Sequence, residues 1–121
     1  MDNSQKKENI IQSKSLEFAM RIVKLSKFLQ WEKEFILSSQ ILRSGTSIGA
    51  NIEEAQGWIS RKEFIHKVNI AYKESRETLY WLKLLVTWEY ISQDQYASLF
   101  ADCEEIIKIL TKILVTSRQK E

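Results

Sequence analysis

Proline is missing altogether from the chain, and only three of its 121 residues are glycine. So few residues that break regular structure favour long helices over a turn-rich sheet fold. A single cysteine, Cys103, excludes an internal disulfide and with it a disulfide-stapled secreted domain. Hydrophobic runs are short: no segment approaches a membrane span, and the opening "MDNSQKKENIIQSKSLEF" lacks the apolar core of a signal peptide. Charge of either sign is nearly balanced, 18 basic against 16 acidic residues for a net +2, which neither marks nor excludes a nucleic-acid binder. These absences imply a cytoplasmic protein with no membrane association.

What is present fits one globular domain. With 44% hydrophobic and 28% charged residues, a chain of this length can bury about two thirds of its unfolded surface. Residues 1–12 read as a polar tail and 13–118 as the folded body.

Four helical segments follow from apolar spacing. Phe18, Ile22, Leu25 and Leu29 mark a first helix over about Ser15–Leu29. Leu37, Ile41, Ile48, Ile52 and Ala55 mark a second over about Glu34–Gln56. A Ser60-x-x-Glu63 capping box starts a third, with Val68, Tyr72, Ser75, Leu79, Leu82 and Val86 in alternating four-three steps. Ser92-x-x-Gln95 starts a fourth along Tyr96, Leu99, Cys103, Ile106, Leu110 and Ile113. No strand-like alternation competes. Short connections make antiparallel neighbours, so the expected fold is all-α, an up-down-up-down four-helix bundle with the third helix, of about thirty residues, the longest.

All three glycines lie in "RSGTSIGANIEEAQG", residues 43–57. A phosphate loop would need a preceding strand and a Walker or dinucleotide pattern, and neither is there. Gly45 and Gly49 sit four apart on a small-residue face with Ser44, Ser47 and Ala50, which suits close helix approach. Gly57 falls where the helix stops and suits a left-handed position after its C-terminus.

The far end of the third helix, "LYWLKLLVTWEYI", is apolar nearly all round. Assigning Leu79, Leu82 and Val86 to the core leaves Trp81, Leu84, Leu85 and Trp88 as candidates for an oligomer interface. Along the same helix Lys62, His66, Asn69, Lys73, Arg76, Tyr80 and Lys83 recur on one face. Its cations Lys62, Lys73, Arg76 and Lys83, with His66, are the nucleic-acid-binding candidates, with Lys14, Arg21 and Lys24 of the first helix as further possible contacts. Glu63, Glu74 and Glu77 lie close enough to offset that charge.

Chemistry is poorly supported. Ser47, Asn51 and Glu54 share a helix face and join Glu77 as a candidate polar network fixing the register of helices two and three. With no partnered histidine they make a poor nucleophilic site. Glu63-x-x-His66 has the spacing of a di-iron ligand pair, but His66 is the only histidine and no second pair exists. The expectation is no catalytic site, no metal, no cofactor and no small-molecule substrate.

The segment "SQILRSGTSIGANIEEA" resembles the signature of the bacterial four-helix-bundle family of the 23S rRNA intervening-sequence protein, through Gln40, Leu42, Arg43, Ser47, Ile48, Asn51, Ile52 and Glu54. The likeness continues in "EFIHKVNIAYKESRETLYWLKLL", through Phe64, Ile65, Ile70, Ala71, Glu77, Thr78, Tyr80, Trp81 and Leu82. It spans about residues 15–117, and Ala55 stands where many members have glycine. The resemblance implies a four-helix bundle assembled as a homopentamer around a central channel. Founding members are encoded within insertions in 23S rRNA genes. A related branch, the accessory protein of diversity-generating retroelements, is a basic pentamer that binds nucleic acid and reverse transcriptase. The expected function is therefore a non-enzymatic, homo-oligomeric interaction module whose partner is RNA or a protein. The alternative is direct, sequence-indifferent nucleic-acid (RNA) binding by the third helix.

Overall fold

The computed structural model describes residues 3–119, with side chains from Ile10 onward. Four helices follow one another: α1 (Asn3–Trp31), α2 (Phe35–Gln56), α3 (Arg61–Thr87) and α4 (Gln93–Gln119). Among the described residues there is no strand. Each helix packs on its sequence neighbours, and α1 and α4 close the ring along its slightest seam, which makes an up-down-up-down four-helix bundle. No described helix is long and apolar enough to cross a membrane.

The expected polar tail is, from Asn3 on, part of α1; residues 1 and 2 lie outside the described residues. The reason is visible in the core, where Ile11 is fully buried and extends the Phe18 and Ile22 stripe by two further turns. At 29 residues α1, not α3 with 27, is the longest helix.

Both N-caps form, but only the second as a full capping box, since Glu63 accepts from the Ile59 N–H and not from that of Ser60. Ser60 Oγ accepts from the Glu63 N–H at 3.1 Å. The Ser92 box is reciprocal: its hydroxyl accepts from Gln95 N–H at 3.1 Å and its own N–H donates to Gln95 Oε1 at 2.8 Å.

The α3 stripe is rotated from the expected one. Its buried positions are Phe64, Val68, Ala71, Ser75, Thr78, Leu82 and Leu85, while Tyr72, Leu79 and Val86 are only partly buried against the core. Small residues take the centre because the helices approach closely there. Thr78 Oγ1 bonds Ser44 Oγ of α2 at 2.9 Å, and Cys103 Sγ of α4 donates to the Ser75 carbonyl at 3.3 Å. The α1–α2 crossing is built likewise: Ser26 and Ser38 join through their hydroxyls at 2.7 Å, and Gly45 lies against Ile22. Every buried side-chain polar atom among the described residues has a partner, so these hydroxyls carry no desolvation penalty.

Helix termination departs from the glycine reading. Gly57 has φ −91°, not a left-handed value. The left-handed residues are Lys33 at φ 64° and Glu89 at φ 61°. Each sits in a Schellman motif: Glu34 N–H to Leu29 carbonyl with Lys33 N–H to Gln30 carbonyl, and Tyr90 N–H to Leu85 carbonyl with Glu89 N–H to Val86 carbonyl. A side chain in this conformation is strained by roughly 1 kcal/mol, which glycine avoids. Lys33→Gly and Glu89→Gly are therefore expected to raise the denaturation midpoint by the equivalent of up to about 1 kcal/mol each. Gly57→Ala, whose Cβ meets nothing nearer than the Glu54 carbonyl at 3.7 Å, is expected to be tolerated. A loss of stability in either left-handed variant would show that the lysine or glutamate side chain is needed there.

Candidate interaction surfaces

The α3 face opposite the core presents Lys62, His66, Lys73, Arg76, Tyr80 and Lys83, all exposed, with Asn69 half-buried among them. The three acidic residues that could neutralise it are engaged elsewhere. Glu74 and Glu77 both pair with Arg43 of α2, the first at 3.3 Å. Glu77 also accepts from Trp81 Nε1 at 2.9 Å. The Glu63 carboxylate accepts from the Ile59 N–H at 3.4 Å, beside the helix start. Among the described residues no carboxylate forms an ion pair with Lys62, Lys73, Arg76 or Lys83.

On α1 the cations behave differently. Lys14 pairs with Glu105 at 2.9 Å and Arg21 with Asp102 at 2.6 Å, both on α4. Arg21 also donates to Ser98 Oγ at 3.0 Å. The Glu105 contact raises the Lys14 pKa above its ordinary value. These two residues clamp the α1–α4 seam instead of standing free beside Lys24. Next to the clamp, Leu25, Phe28, Ile91 and Leu99 floor an open cleft of about 360 Å³ rimmed by Arg21, Lys24 and Gln95.

The candidate polar network of Ser47, Asn51, Glu54 and Glu77 does not join up. Ser47 Oγ donates to the Arg43 carbonyl at 2.6 Å and Asn51 Nδ2 to the Ser47 carbonyl at 2.9 Å, both within α2. Glu54 lies 3.7 Å from Lys67. The cross-helix polar link is centred on Arg43, which also bonds Gln40 Oε1 at 3.2 Å, together with the buried Ser44–Thr78 pair. Short hydroxyl and amide side chains reach their own preceding turn more easily than a neighbouring helix.

The interface candidates separate. Leu85 is fully buried in the bundle core and unavailable to a partner. Trp81 and Leu84 are half-buried, and Trp88 is 72% exposed. The larger apolar surface lies on α1, where Leu16, Met20 and Val23 are 63%, 64% and 37% exposed. Trp31, Phe35 and Ile36 add to it at the end of the bundle that carries Trp88. Sequence reasoning missed this set. Its signal was a second four-three spacing at 16, 20 and 23 beside the core stripe, obscured by an intervening Glu17 and Arg21.

Two residues that attract chemical suspicion are quiet. Burial, reinforced by the charges of Asp102 and Glu104, pushes the Cys103 thiol up to about 12, so it stays protonated and unreactive near neutrality. His66 is exposed, and Glu63 is taken up by the helix start.

The family model for the 23S rRNA-intervening sequence protein matches residues 7–112 of this chain. The chain belongs to that family. A solved structure of a protein of unknown function from the S23 ribosomal protein family of Bacteroides thetaiotaomicron is similar to it, with 58% identity and a TM-score of 0.87. That alignment covers 89% of this chain and 97% of the Bacteroides protein. Comparison with curated proteins gives no match. Neither the family nor the Bacteroides structure points to an enzyme class. The match places the α2 segment around Arg43 and the α3 segment through Trp81 inside a 23S rRNA-intervening sequence protein fold, with both surfaces described above on its outside.

Proposed function

We propose that this member of the 23S rRNA-intervening sequence protein family is a non-enzymatic, homo-oligomeric interaction module of the cytoplasm, assembling as the pentamer that the family resemblance implies. The carrying observation is the apolar face of α1, Leu16, Met20 and Val23, in a molecule whose other helices turn mostly polar groups outward. Contiguous apolar surface of this kind marks interfaces. The exposed portions of Trp31, Phe35 and Trp88 add on the order of 400 Å², about half of what one partner contributes to a standard interface. The buried polar residues are hydroxyls engaged in structural hydrogen bonds, Ser26 with Ser38 and Ser44 with Thr78 across helices, Ser15 and Ser75 to carbonyls of their own preceding turn.

Size-exclusion chromatography with light scattering tests the proposal. The expected mass is about five times 14.3 kDa, and Leu16→Glu with Met20→Glu is expected to shift it to the monomer while helical circular dichroism is retained. A monomeric wild type would overturn the oligomer.

A second reading is favoured by one observation of its own: the cations of the α3 outer face are free of ion pairs among the described residues. In this reading the face binds the phosphates of RNA without sequence preference, and a fivefold assembly multiplies the modest charge of +2. Binding would then weaken steeply with salt and fail on charge reversal at Lys73 and Arg76.

A further inference from the structure

Tyr80 interrupts the cationic face of α3 with an aromatic ring. It is 55% exposed, although a tyrosine on a purely solvated helix face gains little from that position. Arg76 lies one turn before it and Lys83 one turn after, so cationic heads flank the ring on the same face. The ring is also held: Trp81 packs edge-to-face on it, with centroids 5.1 Å apart and planes at 69°. Trp81 is in turn tied by its Nε1 to Glu77, which pairs with Arg43 of α2. An exposed aromatic whose neighbour is anchored to a second helix offers a pre-oriented surface, with little rotamer freedom left to lose on binding.

Cations spread along the same line complete the pattern. From Lys62 to Lys83 the helix rises about 32 Å at roughly 1.5 Å per residue. A groove-less row of cations can follow a phosphate backbone of either a duplex or a single strand. An aromatic face among those cations discriminates, because the bases of a duplex are stacked inside it and present no free π-face, whereas those of a single strand do.

We propose that the outer face of α3 binds single-stranded nucleic acid, with Tyr80 as a base-stacking platform between the phosphate-contacting Arg76 and Lys83. This rests on the second reading above and specifies its ligand. Lys62 and Lys73 extend the backbone contact toward the N-terminus of the helix, and Trp81 is a positioning residue for the ring.

The test is fluorescence anisotropy with one labelled, mixed-sequence RNA strand, alone and annealed to its complement, across a salt series. The single strand is expected to bind more tightly than the duplex. With four phosphates neutralised, the slope of log K against log salt is expected near −2.8, from about −0.7 per contact. Tyr80→Ala is expected to weaken single-strand binding by roughly 5- to 150-fold without changing that slope, and Tyr80→Phe to retain it. Lys73→Glu with Arg76→Glu is expected to abolish binding. Equal affinity for strand and duplex together with an inert Tyr80→Ala, while charge reversal still abolishes binding, would overturn the stacking role and leave the basic face standing. Binding unaffected by charge reversal, or no binding of either probe by the wild type, would overturn both. Tyr80 is on the surface, so circular dichroism of the variants separates lost contact from lost fold.

Discussion

Gly45→Ala is expected to destabilise the protein by about 1–3 kcal/mol, even though alanine is the better helix former by about 1 kcal/mol. An added Cβ would lie 2.7 Å from Ile22 Cγ2 and 2.8 Å from Cγ1, well inside contact distance. Ile22 cannot yield. It is fully buried, and a β-branched side chain in a helix has essentially one rotamer. The α1–α2 crossing must open instead, loosening the hydroxyl pair of Ser26 and Ser38 further along the same seam. Gly49→Ala is the internal control. Its Cβ would meet Ser15 Oγ at 3.5 Å, an ordinary contact, so the helix-propensity gain is expected to appear as up to about 1 kcal/mol of added stability. Denaturant midpoints of both variants decide the matter. A Gly45→Ala protein as stable as wild type would mean that the crossing relaxes freely. Truncating the partner gives a sharper check: Ile22→Ala alone should cost about 2–5 kcal/mol, yet the double variant should lose less than the sum of the two, because each change relieves the other.

Between pH 9 and pH 12 the protein is expected to lose about 4 kcal/mol of stability through Cys103 alone. Burial holds the folded-state thiol near 12 against an ordinary 9.0. Below pH 9 both folded and unfolded chains keep the proton, and the contribution is fully present. Above it the unfolded chain releases the proton first, so stability falls as pH rises until the folded thiol ionises as well. Three pH units at about 1.36 kcal/mol each give the stated magnitude. Cys103→Ala should remove this component of the slope while lowering the plateau through the cavity it leaves. Equal alkaline slopes in the two proteins would refute the assignment. In parallel, a thiol-alkylating reagent at pH 8 should leave the native protein unmodified and label it once denatured.

Much of the architecture was legible because helix periodicity and capping are local. The α4 stripe of Leu99, Cys103, Ile106, Leu110 and Ile113 is buried as its spacing requires, and the N-caps at Ser60 and Ser92 start α3 and α4. Local pattern failed where two positions in the same turn were equally plausible. Along α3, Leu79 or Thr78, Val86 or Leu85, and Tyr72 or Ala71 could each have faced inward. Hydrophobicity favoured the larger member of the first and third pairs, whereas close helix approach selected the smaller. Placing Leu85 on an interface was the cost of that rotation. The same limit applied to chain reversal: a glycine near a helix end suggests a left-handed residue, but Lys33 and Glu89 adopt that conformation. The connections they serve are fixed from outside, Tyr90 Oη reaching Glu34 at 3.2 Å across the two loops.

By itself, then, the sequence determined four helices, their order and antiparallel sense, the small-residue contact at Gly45 and the family to which the chain belongs. Each depends on residues a few positions apart or on motif content. The tertiary structure decided which cations are spent and which are free. Lys14, Arg21 and Arg43 are held by carboxylates on other helices, while Lys73 and Arg76 are not. It also decided that the surplus apolar surface lies on α1 more than on α3. The physical reason is common to both: charge pairing and burial depend on what lies across a helix interface, and partners 31 to 91 residues away in the chain leave no periodic trace in the sequence.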